Sequence, residues 1–165
     1  SHDTLHLLDD KSYVSTSFNI VGLNNDLHVK VKHDSSSKDE QILFESSYGA
    51  IKAVQKETGK AGLSRENHDY SFDYELPVNQ WVELEFKNRK EVIELYVNGQ
   101  LVDILDDEQV YGKLLKATMM IPFERIGSKE HAFVGYVDDI RLGSQKTFAS
   151  IMELDYLVTS ASIIA

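Results

Sequence analysis

The sequence predicts an all-β fold, two antiparallel sheets packed as a sandwich, with a short helix at the C-terminal end. Three observations carry that reading. Short segments alternate apolar and polar residues, the period-2 pattern of a half-buried strand. Turn signals separate them at close intervals, Asn98-Gly99 being the strongest. Tyrosine (8) and phenylalanine (7) outnumber the single tryptophan, and such rings pack well on a pleated surface.

The elements run in order along the chain. In Ser12–Ile20, Val14, Thr16, Phe18 and Ile20 share one face. In Leu27–His33, Leu27, Val29 and Val31 face inward while His28, Lys30 and Lys32 face out. A polar loop, Asp34 to Asp39, precedes a strand at Gln41–Glu45. Ile51–Gln55 and Lys60–Arg65 flank Glu57-Thr58-Gly59, a hairpin in which Gly59 takes a positive φ. Along Asp69–Leu76, Tyr70, Phe72, Tyr74 and Leu76 share a face, and Pro77 ends the strand. Trp81–Phe86 and Val92–Val97 pair around the turn Lys87-Asn88-Arg89-Lys90, and Asn98-Gly99 leads by a type I′ turn into Leu101–Leu105. Later strands are Ala117–Ile121 and His131–Leu142, with Gly135 a bulge or a close approach.

The end of the chain changes period. Ile151, Leu154, Val158 and Ala161 recur at helical spacing, with Ser150 as cap and Glu153 as its reciprocal partner. The expected division is therefore a sandwich over 1–148 and a helical segment over 149–165. That segment either docks on the sandwich or begins a further helical module.

At 165 residues one core is feasible, and 42% hydrophobic with 27% charged residues is ordinary for a globular domain. The net charge of −10 is spread along the chain and would repel phosphate backbones, so a nucleic-acid partner is not expected. With no cysteine, disulfides, thiolate zinc sites and a cysteine nucleophile are excluded. No apolar run approaches 18 residues, so no helical membrane span is expected.

A resemblance narrows the fold further. Its residues are Leu43-Phe44-Glu45-Ser46, Gly49-Ala50-Ile51-Lys52-Ala53-Val54-Gln55-Lys56 and Thr58-Gly59-Lys60-Ala61-Gly62-Leu63-Ser64-Arg65-Glu66. Asp69-Tyr70-Ser71-Phe72, Leu76-Pro77 and Trp81-Val82-Glu83-Leu84 continue it. Leu95-Tyr96-Val97-Asn98-Gly99-Gln100-Leu101-Val102 and Tyr136-Val137-Asp138-Asp139-Ile140-Arg141-Leu142-Gly143 complete it. In these stretches the chain resembles the concanavalin A-like (laminin G-like) modules attached to bacterial glycoside hydrolases, notably β-N-acetylhexosaminidases. The block from Gly49 to Phe72 is the most specific part, and the last two pieces mark the fold alone. The resemblance implies a lectin-like jelly roll, a secreted or cell-surface host, and a supporting role beside a catalytic domain of the same polypeptide. It leaves the glycan partner unnamed.

The residues offer little chemistry of their own. Glu83 and Glu85 share a strand face, as the acids of retaining glucanases do at about 5–5.5 Å. The third acid of that pattern is replaced by Lys87, Asn88 and Arg89, so a solvated face is the simpler reading. There is no Gly-x-Ser-x-Gly, and the six histidines show no metal-ligand spacing. At Asp138-Asp139 one carboxylate either caps nearby backbone donors or contributes to a structural calcium site; the cap is preferred, and no cofactor is assigned.

Sugar binding needs an accessible ring against pyranose C–H groups and planar polar side chains for hydroxyls. The loop-side candidates are Tyr48, His68 and Tyr111, with Arg65, Glu66, Asn67 and Asp69 as polar partners. Trp81 falls on the polar face by parity, its ring partly accessible, while Lys52 and Lys56 read as solvated strand residues. The expected function is a monomeric, non-catalytic carbohydrate-binding or spacer module. A protein-interaction or adhesion domain of laminin G type is the alternative, and a glycosidase on the same fold a more distant one.

Overall fold

The computed structural model describes residues 4–16, 20–21, 26–34, 39–47, 49–65, 68–89, 92–106, 121–122, 124–143, 146–147 and 161–164. The strands come in chain order as β1 (Thr4–Leu7), β2 (Tyr13–Ser15), β3 (Ile20–Val21), β4 (Asp26–His33) and β5 (Gln41–Ser46). Next are β6 (Gly49–Val54), β7 (Gly62–Arg65), β8 (His68–Ser71), β9 (Trp81–Asn88), β10 (Val92–Val97) and β11 (Gln100–Asp106). The last are β12 (Ile121–Pro122), β13 (Arg125–Gly127), β14 (Gly135–Leu142), β15 (Lys146–Thr147) and β16 (Ala161–Ile164).

The larger sheet has eight strands, ordered β11-β10-β9-β4-β14-β1-β16 with β15 beside β14; the smaller has six, ordered β2-β13-β5-β6-β7-β8. A two-stranded ribbon, β3 with β12, completes the set. The strand pairs are antiparallel, and the chain passes repeatedly between the sheets: β4 to β5, β8 to β9, β13 to β14. This is the antiparallel jelly-roll sandwich.

Alternation in the sequence becomes layering. Leu27, Val29 and Val31 of β4, and Val82, Leu84 and Phe86 of β9, are all buried. From the smaller sheet Phe44, Ile51, Leu63 and Tyr70 join the same core. Phe72 of the β8 side meets Phe86 of β9 at a centroid separation of 6.2 Å and 51°, a ring pair that ties one layer to the other. Gly59 has φ 73°, as its hairpin requires, and Asn98 and Gly99 have φ 50° and 82°, both positive as in a type I′ turn.

Several expectations need correction. Lys87 and Asn88 belong to β9 rather than to the turn after it. β8 stops at Ser71; Phe72 and Tyr74 keep the alternation but exchange backbone bonds with Ala61 instead. The strand expected from His131 starts only at Gly135. Before it, the amides of Ala132 and Phe133 donate to the carbonyls of Asp10 and Ile42, so that stretch belongs with the smaller sheet before the chain crosses. At the C-terminus, Ala161–Ile164 is a strand on β1, with Leu5 opposite Ile163, and not part of a helix. An exposed edge of β1 offers unpaired N–H and C=O groups, which outweigh a weak helical period. The rest of the expected helix, residues 149–160 and 165, lies outside the described residues, as do 117–120 and Phe18.

Candidate functional site

The outward positions of the larger sheet form a row set by register. Trp81 of β9 stands opposite Lys32 of β4, Lys32 opposite Tyr136 of β14, and Tyr136 opposite His6 of β1. Period-2 alternation sends these side chains away from the core while Val82, Val31, Val137 and Leu5 point into it. The rings touch. His6 stacks on Tyr136 at 4.2 Å and 14°, Trp81 tilts against Tyr136 at 6.2 Å and 44°, and the Lys32 ammonium lies 5.9 Å from the Tyr136 centroid. Trp81 is nonetheless 46% exposed.

Two residues along the strands lies a polar row. Glu83 faces Lys30, and Lys30 faces Asp138. The Thr4 hydroxyl donates to Asp138 Oδ2 at 3.0 Å, and the Asp139 amide to Asp138 Oδ1 at 2.7 Å. The capping role expected of this Asp pair is thus performed by Asp138. A bulge comes next: Asp138 to Arg141 on β14 spans only Lys30 to His28 on β4, and Asp139 takes φ 47°. Asp139 is surrounded by cationic groups, Arg141 Nε at 3.2 Å and Lys30 Nζ at 4.0 Å. Among the described residues no cluster of His, Asp or Glu is arranged to hold a metal ion.

The bulge also explains His28, which parity places outside and the structure buries. Its Nδ1 is 3.0 Å from the Asp139 carbonyl and its Nε2 2.5 Å from Glu83 Oε1. The hydrogen bond from His28 is the main cause holding the Glu83 carboxyl below its ordinary value. A glycosidase acid needs the opposite, a carboxyl kept protonated near neutral pH, so Glu83 is suited to accept hydroxyls and not to donate a proton. Asn98, turned back by its positive φ, accepts from the Glu83 amide at 2.9 Å. Together Lys30, Trp81, Val82, Glu83, Asn98 and Asp138 line a groove of about 380 Å³.

The loop-side candidates lie elsewhere. Arg65 and His68 are opposed across the β7–β8 hairpin at the edge of the smaller sheet, and His68 and Asp69 are exposed. Asp69 Oδ1 is already bonded to Lys52 Nζ at 2.9 Å. Lys52, read as solvated, is buried; burial pushes its ammonium pKa down, but bonds to Glu40 and Asp69 outweigh that and raise it. Tyr48, Glu66, Asn67 and Tyr111 lie outside the described residues. A second groove of about 410 Å³ lies between Asp10, Glu40, Gln41, Lys56 and His131, and among the described residues its lining includes no Trp, Tyr or Phe. The sequence reading missed the Trp81 row because parity tells which face a residue takes, not which strands flank it.

Solved structures fit this architecture. A SAP-like pentraxin from Limulus polyphemus superposes with a TM-score of 0.64 at 10% identity, over 98% of this chain and 94% of that one. The fold is an antiparallel jelly-roll sandwich. A protein of Bacteroides ovatus provisionally named as carbohydrate-binding matches with a TM-score of 0.64 at 12% identity, over 86% of this chain and 43% of that one. Domain 4 of AbnA, an extracellular GH43 arabinanase of Geobacillus stearothermophilus solved with arabinotriose, gives 0.56 at 17% identity, over 81% and 68%. No family model matches the chain, and no curated protein does.

Proposed function

We propose that this domain is a non-catalytic carbohydrate-binding module that holds a glycan on the outer face of its larger sheet. The observation that carries the reading is Trp81, a large ring left 46% exposed at the lip of a groove whose other walls include Glu83, Asn98 and Asp138. An indole face covers pyranose C–H groups, and the carboxylates accept hydroxyls, which is the chemistry a sugar needs. The arabinotriose complex of a similarly folded arabinanase domain supports a sugar ligand for the fold. We further propose a monomeric module, at the cell surface or outside the cell, tethered to a glycoside hydrolase. The motifs between Leu43 and Gly143 support that context, as does the extracellular enzyme from which the arabinanase domain comes.

Trp81 is the only tryptophan of the chain, so its fluorescence reports on the groove directly. Titration with plant, host and cell-wall oligosaccharides should change that emission saturably, and calorimetry should give the same affinity. Trp81→Ala should abolish binding. His68→Ala, on the other sheet, should leave it intact; the reverse pattern would move the site to the β7–β8 hairpin. Silence against every glycan would leave a spacer.

A protein-interaction domain has less support. Leu101 and Val102 are exposed on β11, where the register with β10 makes Val102 the extra residue of a bulge, and two such side chains fall short of the about 300–600 Å² of a docking patch.

A further inference from the structure

The outer face of the larger sheet also bears on the charge of the sugar, an inference that rests on the proposed binding function. Lys32 is half-buried between two rings, opposite Trp81 on one side and Tyr136 on the other. Four other lysines pair with carboxylates, Lys30 with Asp139, Lys52 with Glu40 and Asp69, Lys60 with Asp73, and Lys87 with Glu85, while Lys129, like Lys32, lies over a ring, that of Tyr13 at 5.7 Å. Among the described residues Lys32 has no ion-pair partner, only the face of Tyr136 at 5.9 Å. A chain with 27 acidic residues and a net charge of −10 has many carboxylates to offer, yet this ammonium is flanked by rings.

The face is thus polar along one axis. Lys32 and His6 stand in the aromatic row; Glu83 and Asp138 stand two residues further along the strands, about 7 Å away at 3.3–3.4 Å per residue. One sugar ring spans that interval. A neutral sugar would use Trp81 and the carboxylate row and leave Lys32 idle. A sugar bearing an anionic group would use both rows, and in one orientation only, because the anion is repelled by Glu83 and Asp138. The domain's net charge does not overrule this: at 0.15 M salt charges beyond about 8 Å are screened, whereas the Lys32 contact is direct.

We propose that the ligand is an anionic glycan, a sugar whose carboxylate or sulfate group pairs with Lys32 while its ring covers Trp81 and its hydroxyls reach Glu83 and Asp138. The test compares matched probes by Trp81 fluorescence and calorimetry. Oligouronates are set against their methyl esters, sialylated glycans against their asialo forms, and sulfated oligosaccharides against unsulfated ones. One acidic member should bind about tenfold to a hundredfold more tightly than its neutral counterpart, the range of one hydrogen bond to a charged group. Which pair responds tells carboxylate from sulfate. Lys32→Gln should collapse the acidic-to-neutral ratio to near one, and Lys32→Arg should retain it, with unfolding midpoints confirming that both variants fold. Trp81-dependent binding in which neutral probes match their acidic partners, or a ratio indifferent to Lys32→Gln, overturns this proposal and leaves the binding function standing. Failure of all probes overturns both.

Discussion

The buried imidazole of His28 reaches the half-exposed carboxylate of Glu83 at 2.5 Å while its other nitrogen faces the Asp139 carbonyl at 3.0 Å. Both ring nitrogens therefore meet oxygen atoms. A residue that parity assigns to solvent becomes a strut beneath the groove, fixing one Glu83 oxygen.

Removing the Glu83 charge should flatten the acid limb of stability. The Glu83 pKa is depressed in the folded state below 4.5, chiefly by the His28 bond. A depressed carboxyl stabilises the fold above its unfolded value, and that contribution is lost as pH falls through the folded value. In Glu83→Gln the loss should be absent. At pH 7 the variant should be less stable by about 0.5 kcal/mol, a small figure because nearly half the side chain is in water. Urea midpoints between pH 3 and pH 7 measure both; parallel curves for the two proteins would contradict the assignment.

Lys52 should matter to stability more than a surface lysine does. Its ammonium, on β6, is bonded to Glu40 and Asp69, joining the start of β5 to β8 across β6 and β7. Its pKa is raised, so the interaction is present below 10.5 and is lost as pH rises through the folded value. Lys52→Met keeps the stem and deletes the charge. Glu40 and Asp69 are partly solvated and can rehydrate, so the cost should be about 1–2 kcal/mol, below the 3–5 kcal/mol of a fully buried pair. Urea unfolding at pH 7 checks the size, and the variant should also lack the stability loss above pH 10.5. A cost near zero would mean that the pair is as weak as an exposed one.

Much of the layering was legible from the residues, because burial of one face forces period-2 alternation. Leu27, Val29 and Val31, the Asn98-Gly99 turn and the Gly59 hairpin all stand as their local chemistry requires. What alternation does not encode is the company a residue keeps. Lys32, Trp81 and Tyr136 lie far apart in the chain and meet only through the order β9-β4-β14. His28 and Lys52 were misjudged for the same reason: Asp139 comes over one through a bulge, and Glu40 and Asp69 close over the other. Ala161–Ile164 failed differently, since four residues are too few to separate a period of 3.6 from one of 2 once an open edge is available.

Gly135 is where these two kinds of information coincide, and it supplies a test of the binding face by geometry alone. It stands where the chain enters β14, at φ 149°, and a Cβ there would fall 2.1 Å from the backbone oxygen of Lys32 and 3.1 Å from the Asp34 amide. Neither atom can turn aside as a side-chain tip could, so β4 and β14 must part. That would strain the 2.9 Å bond from the Asp34 amide to the Val134 carbonyl and shift Lys32 against Tyr136. Gly135→Ala should therefore cost about 3 kcal/mol, at the upper end for a strained backbone position. It should also weaken glycan binding in the fraction that remains folded. Gly99→Ala is the control: φ is 82° but nothing lies within 4 Å of the added carbon, so only the left-handed penalty of about 1–2 kcal/mol applies. Urea unfolding of both variants, with Trp81 fluorescence titrations on the folded protein, separates strain from collision. Equal costs for the two substitutions would mean that β4 and β14 do not approach this closely, and the row joining Lys32 to Tyr136 would lose its support.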